Sequence, residues 1–244
     1  MFIAHCSLFI EMSPLIGITT YERNESAEFS LGANYVDAVR EAGGLPVLLT
    51  PGEANIAQLL DRLDGLVLTG GGDADPALYG GANHPKVHQV NGERDRFELE
   101  LARASLDRAF PVFAVCRGMQ IQAIAAGCPL VVHLPERYGT EIEHRLDLAP
   151  GHVHITRHCV TLDPESQLAA IMDTTELGVA SWHHQAIAKV PPNWQLVGQS
   201  ADGVIEAMEY QLRPWVIAVQ WHPELTHKDP FHAKLWRSFV DAAR

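Results

Sequence analysis

Cys116 sits at an abrupt break in the chain. The apolar run Val112-Phe113-Ala114-Val115 ends there, and Arg117-Gly118-Met119-Gln120 opens a helix-forming stretch. A strand that turns this tightly into a helix pushes its turn residue outward, as in the nucleophile elbow of hydrolases that carry serine at that point. Here the residue is a thiol, and the chemistry it suggests is covalent acyl transfer. A thiol of ordinary pKa is mostly protonated at neutral pH; an imidazolium neighbour and a helix N-terminus favour the thiolate. Val219-Gln220-Trp221-His222-Pro223-Glu224 supplies an imidazole in His222. Glu224, two residues on, can accept from the other ring nitrogen, and Pro223 restrains the backbone between them. Thr69-Gly70-Gly71-Gly72-Asp73 follows another apolar run. Its glycines let backbone N–H groups approach a bound atom, so Gly71 N–H together with Arg117 N–H could form an oxyanion hole. A plain glycine turn is the alternative; a phosphate loop is disfavoured because the run lacks the G-K-[ST] ending.

The elements that must position these groups alternate. Strands are expected at Leu15 to Thr19, Pro46 to Leu49, Gly65 to Thr69 and Val112 to Val115. Helices are expected at Ala33 to Ala42, Ile56 to Leu63, Phe97 to Arg108 and Gln120 to Ala126. Short apolar strands alternating with helices imply an α/β fold with a parallel, doubly wound sheet, whose sites lie beyond the carboxyl ends of the strands. Cys116 and the glycine run both fall there. From about His152 the pattern turns to β: His154 to Leu162, Gly178 to Ser181, Trp194 to Ser200, Val204 to Tyr210 and Val216 to Gln220, before a last helix at Phe231 to Ala242. Residues 15–244 read as one domain. Residues 1–14 read as an extension, either disordered or upstream of a true start at Met12.

The bulk composition narrows the partners. The 244 residues are 47% hydrophobic and 20% charged, with a formal net charge of −12. That acidity excludes a nucleic-acid surface, which needs a basic patch. No run approaches the roughly 18 apolar residues of a membrane span. Cys6, Cys116, Cys128 and Cys159 form no C-x-x-C pair, which disfavours a disulfide scaffold and points to the cytoplasm. Cys128 and Cys159 read as small inert hydrophobes.

Taken together, the Cys-Arg-Gly elbow, the Gly-Gly-Gly-Asp loop and Trp221-His222-Pro223-Glu224 resemble class I glutamine amidotransferase-like proteins. A narrower resemblance is to the γ-glutamyl-γ-aminobutyrate hydrolases of the peptidase C26 group. It rests on Gly72-Asp73-Ala74-Asp75-Pro76-Ala77-Leu78-Tyr79-Gly80, Glu93-Arg94-Asp95 with Phe97-Glu98, and His144-Arg145. Ser181-Trp182-His183-His184-Gln185 and Asp202-Gly203-Val204-Ile205-Glu206-Ala207 complete it, so that it spans nearly the whole chain. The resemblance implies a flavodoxin-like sheet and a triad of Cys116 as nucleophile, His222 as base and then acid, and Glu224 as orienter. It implies cofactor-free hydrolysis of a γ-glutamyl amide, such as γ-glutamyl-γ-aminobutyrate, through a thioester, and a homodimer. The alternatives are a glutaminase subunit that delivers ammonia to a synthetase, or a silent regulatory relative. Where relatives often have Asn before the serine of the Ser-x-His-His-Gln block, this chain has Ala180.

Gly72, Gln120, Arg145, His183, His184 and Gln185 are the expected substrate contacts. For His184 and Gln185, supporting the elbow is the alternative. Arg145 could bind a glutamyl α-carboxylate or make a surface ion pair. Asp73 and Asp75 could be turn and cap residues or meet an α-ammonium. The side chain of Arg117 could pair with a carboxylate while only its N–H takes part in chemistry. Thirteen histidines invite a metal reading. The best pairs, His152-x-His154 and His183-His184, lack a third partner at ligand spacing, so no metal is expected.

Overall fold

The computed structural model describes residues 12–146 and 155–244. Its first half alternates β1 (Leu15–Thr19), α1 (Ala33–Glu41), β2 (Leu45–Leu49), α2 (Ile56–Leu60), β3 (Gly65–Leu68), α3 (Gly92–Leu106), β4 (Val112–Val115) and α4 (Arg117–Ala125). A short strand β5 (Leu130–Val131) and helix α5 (Leu134–Tyr138) lead into the β-rich part. There follow β6 (Thr156–Leu162), α6 (Gln167–Met172), β7 (Glu176–Ser181), β8 (Ala186–Ile187), β9 (Trp194–Ser200), β10 (Ile205–Tyr210), β11 (Val216–Val219) and α7 (Pro230–Ala242).

Nine strands form one sheet in the order β2-β1-β3-β4-β11-β10-β9-β6-β7. The half from β2 to β11 is parallel, and the half from β11 to β7 is antiparallel. The later strands thus extend the parallel core instead of building a second body. Side chains alternate across the central strands, as a two-residue period requires. Val67, Phe113, Val115, Ile217 and Val219 join α1, α6 and α7 in one buried cluster. Leu66, Leu68, Val112, Ala114, Val216 and Ala218 join α2, α3 and α4 in the other. Each of the larger side chains among them stabilises the fold by about 1.5–3 kcal/mol, and the strands buried on both faces read as unbroken apolar runs for this reason. No helix among the described residues is long and apolar enough to cross a membrane.

Several expectations need correction. The third helix begins at Gly92, five residues before Phe97, because Asn91 caps it by accepting from the N–H groups of Glu93 and Arg94. Its first turns hide charged residues inside the protein, which breaks the apolar period. The fourth helix begins at Arg117, directly after Cys116. The second helix stops at Leu60, and α5, α6, β5 and β8, all of six residues or fewer, were too short to show a period. Cys128 is buried as expected, but Cys159 is exposed. His152, His154 and Cys6 lie outside the described residues, as do positions 1–11 of the expected extension.

Candidate active site

Parallel pairing sets three chain reversals side by side. Val115 is in register with Val219 and Ala114 with Leu68, so Cys116, the residues after Val219 and the loop after Leu68 share the carboxyl edge of the sheet. The N–H of Cys116 donates to the Val219 carbonyl at 2.7 Å. Cys116 itself has φ 50° and ψ −105°, an unusual conformation for a side-chain-bearing residue that costs on the order of 1–3 kcal/mol. It is the elbow anticipated from the sequence. Gly70 separates the groups by little more than its own backbone: a Cβ there would stand 2.9 Å from His222 Cε1 and 3.5 Å from Cys116 Cβ.

His222 is 6% exposed. Its Nδ1 lies 2.7 Å from Glu224 Oε1; a carboxylate can only accept, so Nδ1 carries the proton and Nε2 is left toward the cysteine side. Nε2 is buried and makes no hydrogen bond to the described residues. Burial alone would lower the imidazole pKa, but the Glu224 carboxylate and the Cys116 sulfur outweigh it and hold it well above 6.5. A cysteine beside an imidazole that a carboxylate orients has the arrangement of an activated nucleophile.

The first-turn N–H of Arg117 has no helical carbonyl four residues earlier to bond and lies at the positive end of α4. Its side chain is spent elsewhere: the guanidinium pairs with Asp95 Oδ1 at 2.5 Å and contacts Glu98. Glu98 also accepts from Arg94 Nε at 2.9 Å, and Arg94 Nη2 donates to the Gly70 carbonyl at 2.7 Å. The glycine loop rests on this buried lattice. Gly71 has φ +143°, and a Cβ on it would stand 2.1 Å from Arg94 Nη1, so only glycine fits. Tyr35 adds a second brace, its hydroxyl accepting from Gly70 N–H at 2.9 Å.

The other expected site residues divide. Arg145 forms no ion pair with a carboxylate among the described residues. Its guanidinium lies 5.7 Å from the Trp182 ring centre, and that ring centre lies 6.4 Å from that of His222, which puts a cation near the site. Arg145, His183 and His184 border a cavity of about 310 Å³. Gln120 and Gln185 make hydrogen bonds within the fold. Gln120 Nε2 donates to the Gln185 carbonyl at 3.1 Å and Gln185 Nε2 to the Val132 carbonyl at 3.2 Å, with both side chains buried. Gly72 packs against Gln89, whose carbonyl oxygen would lie 2.4 Å from a Cβ. Asp75 is a cap, accepting from Ala77 N–H at 2.9 Å.

Asp73 is held by both His184 at 3.0 Å and His88 at 3.0 Å. Burial would raise its pKa, but these hydrogen bonds prevail and keep it far below the usual carboxylate range. Composition did not reveal Arg94, Asp95 and Glu98 as a support for the loop, although the Arg94–Glu98 spacing of four was a signal for a same-face ion pair. Tyr35 left no signal beyond its place on an apolar face. Two groups of His, Asp and Glu side chains have metal-ligand proximity: Asp73 with His88 and His184, and His144 with His158, His183 and Glu206. The second gives His183 the partners that sequence spacing did not provide.

Comparison with known proteins follows the same lines. A glutamine amidotransferase from Thermotoga maritima shares the fold, with a TM-score of 0.58 over 96% of this chain and 91% of that one at 16% identity. That likeness shows a glutamine amidotransferase-type fold. The family model for Peptidase C26 matches residues 14–224, and the chain belongs to that family. It is 33% identical over 242 residues to the gamma-glutamyl-gamma-aminobutyrate hydrolase of Escherichia coli O157:H7, covering 95% of this chain and 94% of the relative. It is 34% identical over 227 residues to Protein NtpR of Enterococcus hirae, covering 88% and 93%. These relationships make it a glutamine-amidotransferase-like amide hydrolase.

Proposed function

We propose that this protein hydrolyses a γ-glutamyl amide, γ-glutamyl-γ-aminobutyrate or a related amide of polyamine breakdown, through a thioester on Cys116. The observation that carries the reading is the His222–Glu224 contact of 2.7 Å, which leaves the second imidazole nitrogen free for the thiol. His222 takes the Cys116 proton, and the thiolate attacks the γ-carbonyl carbon. The resulting oxyanion is held by the N–H groups of Arg117 and Gly71. Protonated His222 then donates to the departing amine, the C–N bond breaks, and a thioester remains. Water deprotonated by His222 attacks the thioester through a second oxyanion, releasing the γ-carboxylate and restoring the thiol. Arg145 beside Trp182 provides a cation for a substrate carboxylate. The reaction uses a small molecule in a cytoplasmic setting and no cofactor.

The test is release of glutamate from γ-glutamyl-γ-aminobutyrate by the purified protein. Cys116→Ala is expected to lower the rate by at least about 10³-fold. Equal turnover by the two proteins removes the nucleophile assignment. Ammonia release from glutamine only on adding a synthetase moves the reading to a glutaminase subunit.

A further inference from the structure

Away from the thiol, four side chains aim at one point inside the protein. Glu206 Oε1 lies 3.2 Å from His144 Nδ1, 3.5 Å from His158 Nε2 and 3.6 Å from His183 Nε2. The side chains are 0%, 4%, 5% and 2% exposed in the order Glu206, His144, His158, His183. Among the described residues, none of the three converging nitrogens, and neither oxygen of Glu206, makes a hydrogen bond of acceptable geometry. Buried polar groups are normally paired, and a cluster left unpaired calls for a ligand or ion.

The outward nitrogen of each ring fixes what faces inward. His183 Nδ1 contacts the Gln185 carbonyl at 3.0 Å, and His158 Nδ1 contacts the Cys159 carbonyl at 3.3 Å. His144 Nε2 contacts Asp202 Oδ2 at 2.9 Å. Carbonyls and carboxylates accept, so each of these nitrogens donates. In the neutral rings, the nitrogens turned toward Glu206 are therefore lone pairs. Three lone pairs and a carboxylate facing one another in a dry interior repel. A single added proton would serve one contact and leave the others opposed. A cation satisfies all four.

We propose that His144, His158, His183 and Glu206 form a closed binding site for one divalent cation of the zinc type. Bonds of about 2.0 Å set the edges of a tetrahedral site at roughly 3.3 Å, near the three glutamate–histidine separations above; all four donor atoms lie within 4.8 Å of one another. The partners of the outward nitrogens supply the carbonyl and carboxylate supports that orient metal-bound histidines. The backbone also contributes: the β10–β9 register shifts between Ile205 and Ala207, and such a bulge re-aims the residue within it. That residue is Glu206. With four protein ligands there is no open position, so the role is structural. The cation joins β6 and β10 to the loop ahead of Arg145 and to the turn that carries Trp182 and His184.

The experiment is metal binding by the intact protein after chelation and dialysis, using Co²⁺ as the spectroscopic probe and Zn²⁺ as competitor. The expected result is one Co²⁺ per chain with the intense visible band of a tetrahedral site, displaced by Zn²⁺. Zn²⁺ should also raise the thermal midpoint of the stripped protein. His158→Gln and Glu206→Gln should each weaken binding more than about tenfold, while Asp73→Asn and Cys116→Ala retain it. Folded wild type that takes up no stoichiometric cation overturns the proposal without recourse to variants. So does binding that survives in Glu206→Gln and His158→Gln but vanishes in Asp73→Asn.

Discussion

Gly118 lies against the last residue of β3 so closely that a Cβ at 118 would stand 2.3 Å from the Leu68 carbonyl oxygen. The obstacle is backbone, which cannot swing aside as a side chain can. This contact presses the N-terminus of α4 onto the strand beside Cys116, so the elbow depends on an absent methyl group as much as on the thiol. Gly118→Ala should displace the helix start, destabilise the protein by about 1–3 kcal/mol and lower kcat by more than the loss of folded protein explains. Denaturation midpoints measured beside active-site titration of Cys116 separate the two effects.

Glu224→Gln keeps the shape beside His222 and removes the charge. With the acceptor changed, the imidazole is no longer held in one tautomer, and kcat should fall by about 10²–10⁴-fold with little change in KM. The direction of the pH effect follows from the electrostatics. Glu224 and the Cys116 sulfur raise the His222 pKa, so the imidazolium persists as pH rises and is lost on passing the folded-state value. Without Glu224 that value falls, and the alkaline limb of kcat/KM should move toward lower pH. An alkaline limb that stays in place while kcat drops contradicts the charge assignment.

Glu98 neutralises parts of two guanidinium groups, from Arg94 and Arg117, in a region sealed from water. Glu98→Gln leaves buried positive charge uncompensated, which typically costs about 3–5 kcal/mol. Urea unfolding should show a lower midpoint, with Arg94→Met combined with Glu98→Gln recovering part of the loss. No recovery in the double variant means that the two residues do not act through one another.

His232 makes a contrasting prediction. Burial drives its pKa down to about 4, and Thr226 Oγ1 lies 2.9 Å from its Nδ1. In the unfolded chain a histidine titrates near pH 6.5. Stability contributed by this neutral ring is therefore complete above about pH 6.5, lost progressively as pH falls toward about 4, and unchanged further below. The loss is on the order of 3 kcal/mol. Thermal unfolding across that window should be less steeply pH-dependent in His232→Gln than in wild type.

The parallel half of the sheet was legible because strands buried on both faces declare themselves as apolar runs: Val112 to Val115 was read with its observed ends, and the elbow with it. Cys116, His222 and Glu224 could be named because a turn and a two-residue spacing are local facts. What escaped was set by distance. Asn91 starts α3 ahead of its apolar positions, and Asp95 and Glu98 are charges whose shared partner, Arg117, lies on another helix. Likewise, His144, His158, His183 and Glu206 are separated by at least fourteen positions along the chain. Only the antiparallel strands bring them together, so no ligand spacing was there to be read.

The place of β11 has a consequence for synthesis. It is the last of the described strands in sequence order, yet it lies between β4 and β10 near the middle of the sheet. Until it emerges from the ribosome, β4 and β10 each present an edge of unpaired backbone N–H and C=O groups, the kind that recruits strands from other chains. The nascent protein must remain open at its centre while all its other strands are already available. The same insertion that closes the gap carries His222 and Glu224 to Cys116. A chain interrupted before this point therefore holds Cys116 without His222 and Glu224, so the proposed acyl chemistry waits for completion of the sheet.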